Sequence, residues 1–279
     1  MKQLKFLSIP YFVWMLILVV LPSILVFLVA FSDLNIFDLG SFSFNLDSVT
    51  YITENETIKD IILKALWNSI RLSFIATLIC LLIGYPIAYF LANLETEWKN
   101  FIVILIILPI WSNMLLRIMA WEKVLFSLGD FLSASLGTNV NIIGTDTGIL
   151  IGMVSMYLPF MILPIYTILE KMDKSLVEAS NDLGANSFVT FYKVIFPLSL
   201  SGVVSGVIMT LLPAMTAFAL PQRLGGGKIN LLGNMIEHYF MESTGNLNVG
   251  SFLSIALMVI IIFMFIGLLK FDKEGETLL

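Results

Sequence analysis

The chain has 279 residues, of which 58% are hydrophobic and 13% charged, with a formal net charge of −5. A soluble domain of this length carries about a quarter charged residues, so this composition and a mean hydropathy of +0.96 argue against a soluble domain and against a basic, nucleic-acid-binding chain. The single cysteine, Cys80, permits neither an internal disulfide nor a cysteine-based metal site.

The apolar residues gather into six runs, at 9–31, 68–92, 100–121, 147–169, 194–219 and 250–270. Each is long enough for the ~20 residues of a spanning helix. Helices are required because backbone polar groups in lipid must be satisfied within the segment. The expected fold class is therefore an all-α integral membrane protein with six helices, a single transmembrane domain over 1–279. The first run follows Lys2 and Lys5. It is longer than the 7–15 residues of a signal core and has no clear small-x-small cleavage site, so an uncleaved helix is expected.

The connection at 32–67 is acidic (Asp33, Asp38, Asp47, Glu54, Glu56, Asp60). Within it Ile58, Ile61, Ile62, Ala65 and Leu66 recur at helical spacing, which predicts an amphipathic helix lying near the outer interface. The 122–146 segment reads as a loop with short apolar pieces between Gly129, Gly137 and Gly144. In 220–249 the glycines of "LGGGKIN" suggest tight backbone, and 229–240 a short or re-entrant helix. Pro109, Pro159 and Pro164 interrupt the third and fourth runs, and Pro213 is expected to break the fifth. Prolines free carbonyls that neighbours or cavity water must satisfy, which suits a cavity-lining bundle and is equally a common feature of membrane helices.

Lysine and arginine set the orientation. With the N-terminus inside, the inner segments carry Lys2, Lys5, Lys99, Lys171, Lys174, Lys193, Lys270 and Lys273, against the remaining seven basic residues outside. The inner segments are together the shorter, so basic density places both termini and the 170–193 loop in the cytoplasm.

The chemistry of an enzyme is missing. In "LGGGKIN" the phosphate-loop pattern fails, because Gln222 stands for its first glycine and Ile229 follows the lysine. His238 is the only histidine, which excludes a multi-histidine metal site within the chain. It reads as an ordinary interfacial residue. No clear carboxylate sits at a span centre, where a proton- or sodium-driven carrier would place one. A transporter built on this chain draws its energy from another subunit.

One polar stretch separates the fourth and fifth runs: "EASNDLGANSFVTFYKVIFP", Glu178–Pro197. Ser175 and Glu178 fit a capping box, predicting a helix to about Leu183 that Gly184 ends in the left-handed conformation. Ser187 is the expected cap of a second short helix carrying Phe188, Phe191 and Tyr192. The result is a helix–turn–helix knob with small residues (Ala179, Ser180, Gly184, Ala185) at its crest, either a docking surface or a well-capped hairpin that binds nothing.

The same stretch resembles the EAA loop of permease subunits in ATP-binding-cassette (ABC) importers. The loop pattern is Glu-Ala-Ala, three residues, Gly, nine residues, then Ile-x-Leu-Pro. Here it reads Glu178-Ala179-Ser180, three residues, Gly184, nine residues, then Val194-Ile195-Phe196-Pro197. Its flanks, "LPIWSNMLLRIMAW" (108–121), "YLPFMILPIYTILEKMDKSLVEASNDLGA" (157–185) and "LLPAMTAFALPQRLGGGKINLLGNMIEHYF" (211–240), are similar to the PotB-type permeases of spermidine/putrescine importers. The resemblance implies a six-helix type I importer permease with a coupling loop at 170–193. Glu178, Ala179, Ser180, Gly184, Ala185 and Phe188 would dock an ATPase subunit. It further implies a second, PotC-like permease, two copies of the ATPase with its ATP and magnesium, an extracytoplasmic polyamine-binding protein, and a bacterial cytoplasmic membrane. No cofactor is expected in this chain.

For a polycationic substrate the outer segments offer a mild excess of acids over bases. Trp111 and Asn113 are path candidates: aromatic faces attract ammonium groups and an amide oxygen accepts their hydrogen bonds. Tyr157 and Glu122 are further candidates. A tryptophan near a span end is also an interface anchor. Three rivals stay open: the same machine with a metal complex, an oxyanion or thiamine as substrate; a stand-alone secondary carrier; and a non-transporting scaffold.

Overall fold

The computed structural model describes residues 9–32, 43–94, 97–241 and 246–276. Lys2, Lys5, Asp33 and Asp38, which entered the charge arguments above, lie outside that set. The helices are α1 (Ile9–Met15, continued by a π-helical Leu16–Val20 and by Leu21–Ala30), α2 (Asp47–Glu54), α3 (Glu56–Ala92) and α4 (Trp98–Trp111). They continue as α5 (Met114–Leu136), α6 (Asp146–Lys171), α7 (Lys174–Asp182) and α8 (Ser187–Thr190, continued by a π-helical Phe191–Ile195 and by Phe196–Leu198). The last are α9 (Leu200–Met215), α10 (Ala219–Leu224), α11 (Leu232–Met241) and α12 (Leu247–Glu276). Among the described residues the sole β-type pairing is a bridge between Ser32 and Phe44.

Among the described residues four helices are long and apolar enough to cross a membrane: α1, α3, α6 and α12. The bent pairs α4–α5 and α8–α9 raise the number to six if each pair is one span. The expected third span, 100–121, is thus not one straight helix. It bends by 96° between Trp111 and Met114, and the segment from 122 to 136, read from sequence as loop, continues α5. Asn113 causes the restart, because its extended backbone and side chain cap α5. Gly129, taken as a loop marker, packs within the helix against the Val140 carbonyl.

The fifth run bends by 61° at Ser199, between α8 and α9. Pro213 lies inside α9, which ends two residues later at Met215. Both π-helical turns end just before a proline-bearing turn, at Leu21-Pro22 and Phe196-Pro197. Widening the preceding turn relieves the clash between the proline ring and the carbonyl four residues back. The amphipathic stretch at 58–66 is continuous with α3, a helix of 37 residues. No breaker separates it from the span.

The chain divides into two compact units, 1–64 with 235–260 and 65–234 with 261–279. In the first, the Asn248 side-chain amide donates to the Ser32 carbonyl at 2.5 Å. The Phe31 ring meets Phe252 edge-on. Gly250 lets the start of α12 approach Tyr239 and Phe240. The described part of α1 before Val29 is almost wholly exposed, a bare apolar surface fit for lipid.

The second unit holds the packed centre. Leu72, Ala76, Cys80 and Ala88 of α3 are fully buried at helical spacing, with Ser73 and Thr77 between them. The hydroxyls of those two bond back to Ser69 and Ser73 carbonyls at 2.5 and 2.8 Å, so both are paired within the helix. Gly84 of α3 faces Met161 and Ile162 of α6, while Gly202 and Gly206 of α9 face Pro164, Ile165 and Met161. Small residues at these crossings let backbones approach, the usual source of helix association in lipid. Arg71 of α3 pairs with Asp146 at the start of α6 at 2.5 Å. There the carboxylate also complements the helix dipole.

Candidate functional site: a helical hairpin and a broken span

The polar stretch folds as the two-helix knob expected, with different caps. Asp173, not Ser175, caps α7, and its Oδ1 accepts from the Ser175 N–H at 3.0 Å. The predicted capping box is therefore absent, and Glu178 sits mid-helix and exposed. The carboxyl of Asp173 is held below its ordinary range by that backbone N–H and by the Ser175 side chain. Asn186, not Ser187, caps α8, accepting from the Val189 N–H at 2.9 Å. In both cases the residue with extended backbone just outside the helix wins, since only there does a short side chain reach the open N–H groups.

Gly184 has φ +81°, as its sequence position predicts. Its N–H donates to the Asn181 carbonyl at 2.9 Å and the Ala185 N–H to the Ser180 carbonyl at 3.2 Å. This paired 5→2 and 6→1 pattern closes the end of α7 around a left-handed residue. Ser180 Oγ and Thr190 Oγ1 are 3.0 Å apart, and Thr190 also donates to Asn181 Oδ1 at 3.3 Å. These bonds tie the two arms together, so Ser180 serves the hairpin's interior.

The crest is apolar and bare. Leu183 is 89% and Phe188 76% exposed, and a Cβ on Gly184 would meet nothing within 4 Å. Glu178 and Ala179 are exposed beside them, and Ala185 is half-buried. Leu183 escaped the site list drawn from sequence. Its signal was a leucine placed immediately before a helix-ending glycine in a polar stretch. Phe191, grouped from sequence with Phe188 and Tyr192 on the second arm, turns inward. It meets Tyr85 and Tyr89 edge-on at 5.7 and 5.8 Å.

The path candidates do not converge on one point. Trp111 ends α4 at the break and is 84% exposed. Asn113 Oδ1 accepts from the Leu115 and Leu116 N–H groups at 2.9 and 3.3 Å. Its oxygen is therefore committed to the backbone. Tyr157 is buried, with its hydroxyl donating to the Pro213 carbonyl at 3.2 Å. Beside it lies Arg117, whose Nε and Nη1 are sealed from solvent without a hydrogen-bond partner among the described residues. In the sequence Arg117 is only one of the seven basic residues assigned to the outer side. Glu122 borders an open cleft of about 580 Å³ together with Met119, Lys123, Phe126, Ile143 and Arg223. Its Oε2 lies 3.8 Å from Arg223 Nη1.

Relatives with this architecture are numerous. The chain is 36% identical over 255 residues to the "Spermidine/putrescine transport system permease protein PotB" of Haemophilus influenzae, covering 89% of this chain and 87% of that one. It is 34% identical to the protein of the same name from Escherichia coli, covering 82% and 83%. Among solved structures, a bacterial ABC transporter involved in the import of the acidic polysaccharide alginate matches with TM-score 0.77. That match has 12% identity and covers 98% of this chain and 96% of the other. The MetNI methionine ABC transporter matches with TM-score 0.63 at 15% identity, covering 79% and 99%. These two carry chemically unlike solutes on one fold, so the fold itself does not name a substrate. Residues 84–270 match the family model described as binding-protein-dependent transport system inner membrane component; with the relatives above, this places the chain in that family, as a multi-pass membrane permease subunit of an ABC importer with the type I fold.

Proposed function

We propose that this permease serves an ATP-driven importer of polyamines, spermidine or putrescine, and forms half of the translocation path. The observation that carries the reading is the identity of more than a third with a permease named for spermidine/putrescine transport, over 89% of the chain. The mild acidic excess of the outer segments agrees with it. The partners are a second, PotC-like permease, two copies of an ABC ATPase binding ATP and magnesium, and an extracytoplasmic polyamine-binding protein.

The hairpin α7–α8 is the ATPase contact in this reading. Its crest offers Leu183 and Phe188 as apolar anchors, and Gly184 leaves room for a partner's backbone. ATP binding closes the ATPase pair, the docked hairpins follow, and the helices rearrange around the path. The nucleotide shifts that equilibrium only through different affinities for the two states. Both termini and 170–193 face the cytoplasm. In a Cys80→Ser background, cysteines at Asn55 and Asn181 should label from opposite sides. Labelling of Asn181→Cys by an impermeant reagent in intact cells would defeat both orientation and docking.

The competing reading is the same machine with an oxyanion as substrate. Lys123 and Arg223 flank the lone carboxylate of the open cleft, and Arg117 holds unpaired donors. Uptake by the reconstituted complex decides: ATP-dependent entry of spermidine or putrescine supports the polyamine reading. Entry of an anion with neither polyamine carried replaces it.

A further inference from the structure

We propose that Lys99, Tyr166 and Glu170 form a positioning clasp that carries motion of the docking hairpin into α3 and α4; the proposal rests on reading that hairpin as the ATPase contact. Glu170 is the penultimate residue of α6, three residues before the cap of α7. Its Oε1 accepts from Tyr166 Oη at 2.6 Å and pairs with Lys99 Nζ at 2.9 Å. The same ammonium lies 3.5 Å from the carbonyl of Ala92, the last residue of α3, and 5.6 Å from the centre of the Tyr166 ring.

The position of Lys99 makes this arrangement informative. It sits in the first turn of α4, the pole of a helix where a cation is disfavoured. Its side chain is only 20% exposed. A largely desolvated ammonium needs acceptors. It finds them on two other helices: the C-terminal carbonyl of α3, where the dipole favours a cation, and the carboxylate of α6. One charge thus joins three helix ends at the foot of the hairpin.

The other foot is fastened to the same helix. Phe191 packs on Tyr85 and Tyr89 of α3, and Tyr85 Oη lies 2.8 Å from Ser199 Oγ at the α8–α9 bend. Between the two feet is a cavity of about 50 Å³, lined among others by Tyr89, Glu170, Val177 and Ile195. A displacement of α7–α8 therefore pulls on the end of α3 through both feet. Through Lys99 it also pulls on α4, which leads directly to the 96° break at Trp111. A pair with one partner 41% exposed adds little to stability. Its removal loosens coupling without unfolding the protein.

The test compares Glu170→Gln, Lys99→Met and Lys99→Arg. Two readouts are needed: uptake per ATP hydrolysed in the assembled importer, and backbone hydrogen exchange over 172–190 in the purified permease alone. Glu170→Gln and Lys99→Met should keep ATPase co-purification, lower uptake per ATP by about fivefold and speed exchange by a similar factor, with Lys99→Arg, which keeps a cationic donor between the same acceptors, close to the unsubstituted protein in both. Unchanged exchange in Glu170→Gln overturns the clasp whatever the uptake, as does a Lys99→Arg variant no better than Lys99→Met. Failure of the ATPase reading shows separately, as a wild-type complex without ATP-driven uptake.

Discussion

Gly184 and Gly206 belong to the same unit and lack a side chain for opposite reasons. Gly184 closes α7 with φ +81° and has open space around it. Gly206 sits inside α9, where a Cβ would stand 2.9 Å from the Met161 sulfur and 3.0 Å from the Met161 carbonyl oxygen. At the hairpin the demand is on the backbone, and the space around the residue is open. At the helix crossing the demand is on volume, and the neighbour is already in place. In the proposed docking reading the first glycine serves an encounter with another molecule and the second serves the fold itself, so substitutions at the two should fail in different assays.

The largest expected effect is at the crossing. Gly206→Val forces α9 from α6 against a carbonyl that cannot rotate away, an overpacking cost of about 1–3 kcal/mol or more. Thermal unfolding in detergent should shift down and membrane levels should fall. Gly267→Val, at a helical glycine with nothing within 4 Å, should stay within about 0.5 kcal/mol. Equal behaviour of the two would refute close packing as the reason for Gly206.

At the hairpin, Gly184→Val should leave membrane levels normal while ATPase co-purification and uptake are lost, because a β-branched residue tolerates positive φ poorly and adds bulk at the crest. Gly184→Ala costs about 1 kcal/mol locally and should retain partial function. Gly184→Asn sharpens the comparison, since asparagine tolerates the left-handed conformation but is larger than alanine. Transport better than that of the alanine variant would assign the position to backbone conformation, and worse transport to clearance.

Smaller effects are expected at the caps. Asn113→Ala removes the acceptor for two N–H groups at the start of α5 and should destabilise by about 1 kcal/mol, with Asn113→Asp close to neutral. Preserved stability in the alanine variant, measured by thermal unfolding, would mean that the bend at 111–114 is held by packing alone. The smallest effect is at Asp173. Its carboxyl titrates below the ordinary aspartate value because the ionised form accepts the Ser175 N–H. Its contribution is therefore complete above the unfolded value and is lost as pH falls through the folded one. Protection of the Ser175 amide, taken relative to its intrinsic exchange rate at each pH, should fall on that acidification and not in Asp173→Asn, which cannot titrate.

Much of the hairpin was legible because its signals are local. A glycine that must go left-handed, short polar side chains before helices, and a spacing shared with a family are all properties of a few consecutive residues. Even so, both caps were misplaced by one or two positions, since Asp173 and Ser175, or Asn186 and Ser187, are chemically able to do the same task. Which of them does it depends on the backbone direction entering the helix. The inward turn of Phe191 was hidden for a related reason. Its neighbours Tyr85 and Tyr89 are about a hundred residues away in the chain, and periodicity within so short a helix cannot rank one face over another.

The sequence by itself determined that this is a helical membrane protein of the permease class. Apolar runs of spanning length leave the backbone only one way to satisfy itself in lipid, and the Glu178–Pro197 spacing marks the family. Only the tertiary structure decided where the runs bend. Hydropathy sums over residues without regard to direction, so a 96° turn inside 100–121 leaves its total unchanged. The tertiary structure also decided which charges meet. Lys99 and Glu170 come from α4 and α6, and Arg71 and Asp146 from α3 and α6, so each pair forms only where the packing of separate helices brings the side chains within reach.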